Sequence, residues 1–399
     1  MSPSLTPNGP LKMADVSDIR DINQAIFLHL IREQQPISRA DISKQTGLSP
    51  GTVSAIVNRL IRSGLVFEGT EGPSTGGRPP RFLHINAESY YVLAIDIGVS
   101  DTVIAISDFN GDIIEQRSID TVRNAASFLV SLGDEVASML KPKYRTSRFG
   151  GIGVSVPGLI DRETGVLETS PNLEWKDVPI REVLSARFDL PVFVENDANA
   201  AAFSEFWYGP LQEASVKNLL FVLVVEGVGT GLIINGRLHV GSRHGLGGFG
   251  HMSIDPNGEL CSCGRRGCWE TFASDRATID RYQRVTARSA DGPRTMRDIV
   301  ALAGNGDDRA RECLEITAEY LGEGISNLAH GIYPETIVVG GEITAAWPII
   351  GPVIVKRLRS RYITSPEQIT VRPASMTRPS LHGAVPIALQ NSIGSIAGI

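Results

Sequence analysis

Apolar residues recur at helical spacing from Ile19 onward: Ile22, Ile26 and Leu30 form one stripe, and Phe27 and Ile31 widen it, which predicts a first helix. Pro36 interrupts that pattern. Ser38 with Asp41 three residues later is a capping pair that opens a short second helix over 38–46, which Gly47 ends. Ser49 as N-cap and Pro50 in the first turn start a third helix that runs to about Ser63, with Val53, Ile56, Val57 and Leu60 on one face, and Gly64 closes it. Three helices with a glycine turn between the second and third make a helix-turn-helix pattern. The segments LVFEG and RFLHI then read as two short strands around the loop TEGPSTGGRPP, a candidate wing.

Beyond Tyr90 the pattern changes. YVLAIDIG reads as a buried strand ending in a glycine turn, and VIAISDFNGDII as a hairpin turning at Asn110 and Gly111. LLFVLVVEGVGTGLIINGRL repeats that sequence of strand, glycine loop and hairpin, now turning at Asn235 and Gly236. The repetition predicts a duplicated α/β body with a cleft between its halves. The expected segments are a flexible tail over 1–17, a winged helix-turn-helix over 18–86, a first α/β lobe over 90–205 and a second over 206–399.

Composition adds two constraints. The chain has 399 residues, 42% of them hydrophobic, enough to bury two or three cores, and no run approaches the roughly 20 apolar residues that span a bilayer. The first ten residues lack the basic-then-apolar order of a signal peptide, so the cytoplasm is the expected location, with no membrane partner. The net charge of −6 is uneven: residues 11–85 carry +2 and the rest −8. A mildly basic head on an acidic body suits nucleic-acid contact by the head alone, although many ordinary domains carry +2.

Three of the four cysteines, Cys261, Cys263 and Cys268, fall within eight residues, with His251 shortly before them. One imidazole and three thiolates are a complete tetrahedral set for zinc, and Gly264 and Gly267 let the chain turn around the ion. Four protein ligands leave no open position, so the expected zinc is structural. The alternative is free thiols in a reduced compartment.

The segments GH and CxCGxxGCxE, with ENDANAAA from Glu195, resemble the ROK family of sugar kinases and repressors over roughly Val92 to the C terminus. SVPGLID with Gly158, SPNLEW with Asn172, and IVVGGE at 337–342 support the resemblance. It implies a duplicated ribonuclease-H-like body of the actin and hexokinase type, and the helix-turn-helix in front of it resembles the repressor branch. The resemblance further implies sugar contacts at Gly158, Asn172, Asn196, Asp197, His251 and Glu270. Where the family has a Glu before its GH pair, this chain has Gly248, which removes one carboxylate. Without the resemblance, Asn196 and Asp197 would read as a helix cap.

In the family's kinases, the position of Asp197 is that of the base that takes a proton from the attacking sugar hydroxyl. Phosphate binding needs glycine loops free of misplaced anions, and both loops depart from the kinase pattern. The first reads Asp96-Ile97-Gly98-Val99-Ser100 followed by Asp101, and the second Val225-Glu226-Gly227-Val228-Gly229. The expectation is a domain that senses sugar without phosphorylating it.

On the third helix, Gly51, Ala55, Asn58 and Arg62 are expected to face outward. Thr52, Ser54 and Asn58 are candidate base readers and Arg59 a phosphate contact, although outward polar residues are ordinarily just solvated. GGRPP in the wing resembles an AT-hook-like arm, which makes Arg78 a candidate for a narrow minor groove. The leading expectation is a sugar-responsive regulator of carbohydrate genes, a repressor that binds operator DNA as a homodimer or homotetramer. An active kinase with a DNA-binding head and a regulator controlled by protein docking remain as alternatives.

Overall fold

The computed structural model describes residues 24, 27–28, 30–32, 34–71, 81–140, 144, 148–209, 216–241, 248–286, 292–361 and 369–396. The tail over 1–17, Ile19, Ile22, Ile26 and the wing loop with Arg78 lie outside them. In the leading helix, Gln24, Phe27, Leu28, Leu30, Ile31, Arg32 and Gln34 are helical, and Phe27, Leu28 and Ile31 are buried. It is followed by β1 (Ile37–Ser38), α1 (Arg39–Thr46), α2 (Pro50–Arg62), β2 (Val66–Glu71) and β3 (Arg81–Ile85), with the three strands in the order β1-β3-β2.

Local chemistry sets these boundaries. The Ser38 side chain accepts from the Asp41 backbone N–H while Asp41 accepts from that of Ser38, and Gly47 ends α1 at φ 70°. Ser49 accepts from the Thr52 backbone at the start of α2. Val53, Val57 and Leu60 are fully buried on the inner face of α2, while Ile56 is only half-buried.

The body begins with β4 (Tyr90–Ile97), β5 (Asp101–Asp108), β6 (Ile113–Asp120) and α3 (Ala125–Met139). Next come β7 (Arg148–Val156), the small sheet of β8 (Leu159–Asp161), β9 (Val166–Ser170) and β10 (Trp175–Val178), α4 (Ile180–Phe188), β11 (Val192–Asn196) and α5 (Asp197–Tyr208). The second half runs through β12 (Leu219–Val224), β13 (Val228–Ile234), β14 (Arg237–His239), α6 (Glu270–Ala273), α7 (Asp275–Val285), α8 (Met296–Gly304) and α9 (Asp308–Ile332). It ends with β15 (Thr336–Gly340), α10 (Trp347–Arg361), β16 (Thr370–Pro373) and α11 (Pro379–Ile396).

The two five-stranded sheets have the orders β6-β5-β4-β7-β11 and β14-β13-β12-β15-β16. Each is an antiparallel meander of three strands extended by two parallel ones, so the duplication expected from the repeated hairpins is present in the topology. Both hairpins turn where expected. Gly111 lies at φ 99°, and Asn235 and Gly236 lie at 52° and 74°, values that favour Gly and Asn. All of β12 is buried, which is why it reads as a continuous apolar run.

The last helix returns to the first half and packs against β4, β7 and α5. It comes so close that a Cβ on Gly153 would stand 2.0 Å from the Ala384 carbonyl oxygen. The head shares this region's core: Phe27, Ile31 and Leu60 belong to one buried cluster with Tyr90, Phe109, Leu381 and Val385. Polar contacts reinforce the junction. Gln35 donates to Asn110 Oδ1 at 2.8 Å and accepts from the Ile85 backbone at 2.9 Å, and the Arg32 guanidinium lies 3.9 Å from the Trp207 ring centre. Among the described residues no helix is long and apolar enough to cross a membrane.

Candidate functional site

A cavity of about 620 Å³ opens between the two sheets. Gly158, Asn172, Asn196, Asp197, His251 and Glu270, the six residues expected to meet a sugar, all line it. Asn196 and Asp197 arrive there because β11 ends at the cavity and α5 begins. The Asn196 Oδ1 accepts from the Ala198 and Asn199 backbones at 3.0 and 3.2 Å, and its Nδ2 donates to the Gly158 carbonyl at 3.1 Å. The helix-cap reading and the cavity-lining reading therefore hold together. Glu270 and Asn172 converge on Gly227, where a Cβ would meet their Oε2 and Nδ2 at 2.9 and 3.3 Å. Gly248 also lines the cavity, and a Cβ built there meets no described atom within 4 Å.

The same cavity is also acidic. Asp96, Asp197 and Glu226 all line it. Burial raises Asp197 to about 7, with Asp96 and Glu226 nearby adding repulsion. Burial also raises Asp96 to about 6, against the lowering effect of the hydrogen bond it accepts from Ser155 Oγ. Glu226 is raised by burial and then by the charges of Asp101 and Glu342. Asp101 is not part of the lining. Its carboxylate accepts from Arg378 Nη2 at 2.9 Å, so of the two acids added to the loops only Glu226 faces the space. Arg378 and the cavity-lining Ser380 carry no local signal in the sequence, because they stand beside this site only through the return of α11.

His251, Cys261, Cys263 and Cys268 come together with their ligand atoms all within 4.8 Å of one another. The Cys263 and Cys268 sulfurs are 3.6 Å apart, and Cys261 Sγ lies 3.5 Å from His251 Nδ1. A tetrahedral site with metal–sulfur bonds of about 2.3 Å has edges of about 3.8 Å, whereas a disulfide needs about 2.05 Å. This group can hold a metal ion. His251 and Cys263 line the cavity as well, so the cluster forms part of its wall.

On the head, Gly51, Thr52, Ala55, Asn58 and Arg62 are exposed, and Ser54 and Arg59 are half-buried beside them. One residue that sequence reasoning missed stands among them. Arg39, at the start of α1, donates to Asn58 Oδ1 at 2.9 Å and to Glu68 Oε1 at 2.8 Å. Arginine in a first helical turn carries no signal of its own.

Residues 92–391 match the pattern of the ROK family, and residues 21–66 match that of a winged helix-turn-helix DNA-binding family. The chain is 34% identical over 353 residues to the xylose repressor of Bacillus spizizenii, covering 88% of this chain and 90% of that protein. It is similar to a crystal structure of a ROK family transcriptional regulator homologous to the E. coli MLC protein, with a TM-score of 0.80, 28% identity and coverage of 95% and 98%. A ROK family glucokinase from Streptomyces griseus, solved with glucose and AMPPNP, matches with a TM-score of 0.66 and 26% identity, covering 74% of this chain and 98% of the kinase.

Proposed function

This chain belongs to the ROK family, and from that premise we propose that it is a sugar-responsive transcriptional repressor whose kinase-like cleft binds the effector without phosphorylating it. The observation that carries the reading is the cavity itself: polar side chains suited to paired hydroxyls and carboxylates hostile to phosphate line the same space. Asn172, Asn196, Asp197, His251 and Glu270 are the proposed sugar contacts, with Gly158 contributing backbone.

The metal is proposed to be zinc, held by His251, Cys261, Cys263 and Cys268 and structural in role, so that it fixes the wall carrying His251 and Glu270. If His251 binds it through Nδ1, the ring nitrogen nearer Cys261, Nε2 is left for the ligand.

Thr52, Ser54, Asn58 and Arg59 are the proposed DNA contacts of α2, with Arg78 on the wing. A pseudo-palindromic operator would be met by a homodimer or homotetramer. The route from effector to DNA is α5. Its capped start faces the cavity, and its far end carries Trp207 beneath Arg32 of the head, about 15 Å away at 1.5 Å per residue.

Calorimetric titration of the zinc-loaded protein with a panel of monosaccharides and oligosaccharides, with and without ATP and magnesium, tests this reading. Binding of one sugar without turnover supports it and identifies the effector. Phosphorylation would establish a working kinase, the second reading, which Asp197 in the cavity favours. If no sugar binds, the cavity is not the sensor.

A further inference from the structure

The outward edge of α2 holds an Asn side chain that is not free to turn. Arg39 Nη2 has two hydrogens: one goes to Asn58 Oδ1 at 2.9 Å and the other to Glu68 Oε1 on β2 at 2.8 Å. Glu68 Oε2 is in turn 3.3 Å from Arg81 Nη1 on β3. A guanidinium only donates, so the amide atom facing it must be the oxygen, and the Asn58 amide cannot be flipped without placing two donors against each other. The pairing with Glu68 holds Arg39 in place, since leaving for a phosphate would break that ion pair.

An unrestrained Asn on a recognition helix reads adenine with both ends of its amide: Oδ1 accepts from N6 and Nδ2 donates to N7. Here one lone pair of Oδ1 is taken by a charged donor, which turns the oxygen toward Arg39 and leaves both Nδ2 hydrogens to be offered to the groove. Gly51 and Ala55, the exposed small residues on the same face, let the helix approach the bases closely. We infer that Asn58 is locked by Arg39 as a donor and reads guanine, whose N7 and O6 are adjacent acceptors on the major-groove edge, in place of adenine. Arg39 is the positioning residue and Glu68 its anchor. This inference rests on α2 being the helix that enters the groove.

The test is selection from a randomised duplex DNA library with the full-length protein and its variants. The wild type is expected to enrich a motif in which one base pair per half-site is G·C and depends on residue 58. Asn58→Ala should lose about tenfold of the preference at that pair and leave the others unchanged. Arg39→Ala frees the amide and should move the same pair toward adenine, whereas Arg39→Lys, which can still donate to Oδ1, should keep guanine. An adenine at the Asn58-dependent pair in the wild type, or an Arg39→Ala motif identical to the wild type, overturns the inference. Should Arg39→Ala not fold, unmodified protein decides: replacing that guanine by 7-deazaguanine removes the N7 acceptor and should weaken binding several-fold, and unchanged affinity overturns the inference. Enrichment of no sequence at all would instead remove the DNA-binding reading beneath it.

Discussion

Burying Asp197 beside Asp96 and Glu226 makes its ionisation unfavourable, and the folded protein keeps the proton up to a pH of about 7. Asp96 keeps its proton to about 6. In the unfolded chain both titrate near 3.8, so between about pH 4 and 7 the native state binds more protons than the unfolded one. The stability these groups contribute is therefore complete below about 4 and is lost as pH rises through 6 and 7. Thermal unfolding followed by calorimetry should show a Tm that falls over that window from these groups. Asp197→Asn, which cannot ionise, should flatten the fall, and an unchanged slope would contradict the assignment. What was legible at this scale was residue type at matching spacing: Asn196, Asp197, His251 and Glu270 were expected at one site and share one cavity. Arg39, Arg378 and Ser380 were not legible, because nothing in their own neighbourhoods marks them.

Elements whose boundaries rest on local chemistry were readable in advance. The Ser38 and Asp41 capping box, the Ser49 cap and the Asn-Gly turns each involve groups within a few residues of one another. The small sheet of β8, β9 and β10 was not anticipated, since its short strands alternate weakly and gain order from the core above them. Two predictions belong to elements. If the cysteine loop holds the proposed zinc, removing it by chelation or by Cys263→Ser should weaken sugar binding at least tenfold because His251 and Glu270 lose their support. DNA binding measured on the same sample should persist, since the residues flanking the loop and those of α2 pack into different buried clusters. At the far end of α5, Trp207→Ala removes the ring beneath Arg32, a contact of about 0.5–2 kcal/mol. Sugar affinity should then be kept while the sugar's effect on operator affinity shrinks severalfold, as read by fluorescence anisotropy on labelled DNA.

The whole molecule is bound by thermodynamic linkage. If the effector changes operator affinity by some factor, operator DNA must change effector affinity by the same factor, typically about 5–150-fold. Titrating sugar into free and DNA-bound protein should give ratios that agree, and a mismatch would mean that a further component takes part. The shared core adds a second expectation at this scale. Deleting residues 379–399 keeps every DNA-facing side chain but uncovers the cluster that joins Leu60 and Ile31 to Leu381 and Val385. That truncated chain should lose DNA binding, measured by gel shift, and unfold at lower temperature. The same return of α11 has a consequence for how the protein is made. Its contacts with Gly153 join segments more than two hundred residues apart, so at roughly 5–20 residues per second the ribosome takes on the order of ten seconds or more to supply the missing wall. Until then the nascent head has an open flank, and a prematurely terminated polypeptide ending before α11 never completes it. Fragments that stop before α11 should therefore occupy the operator less than the chain that carries it.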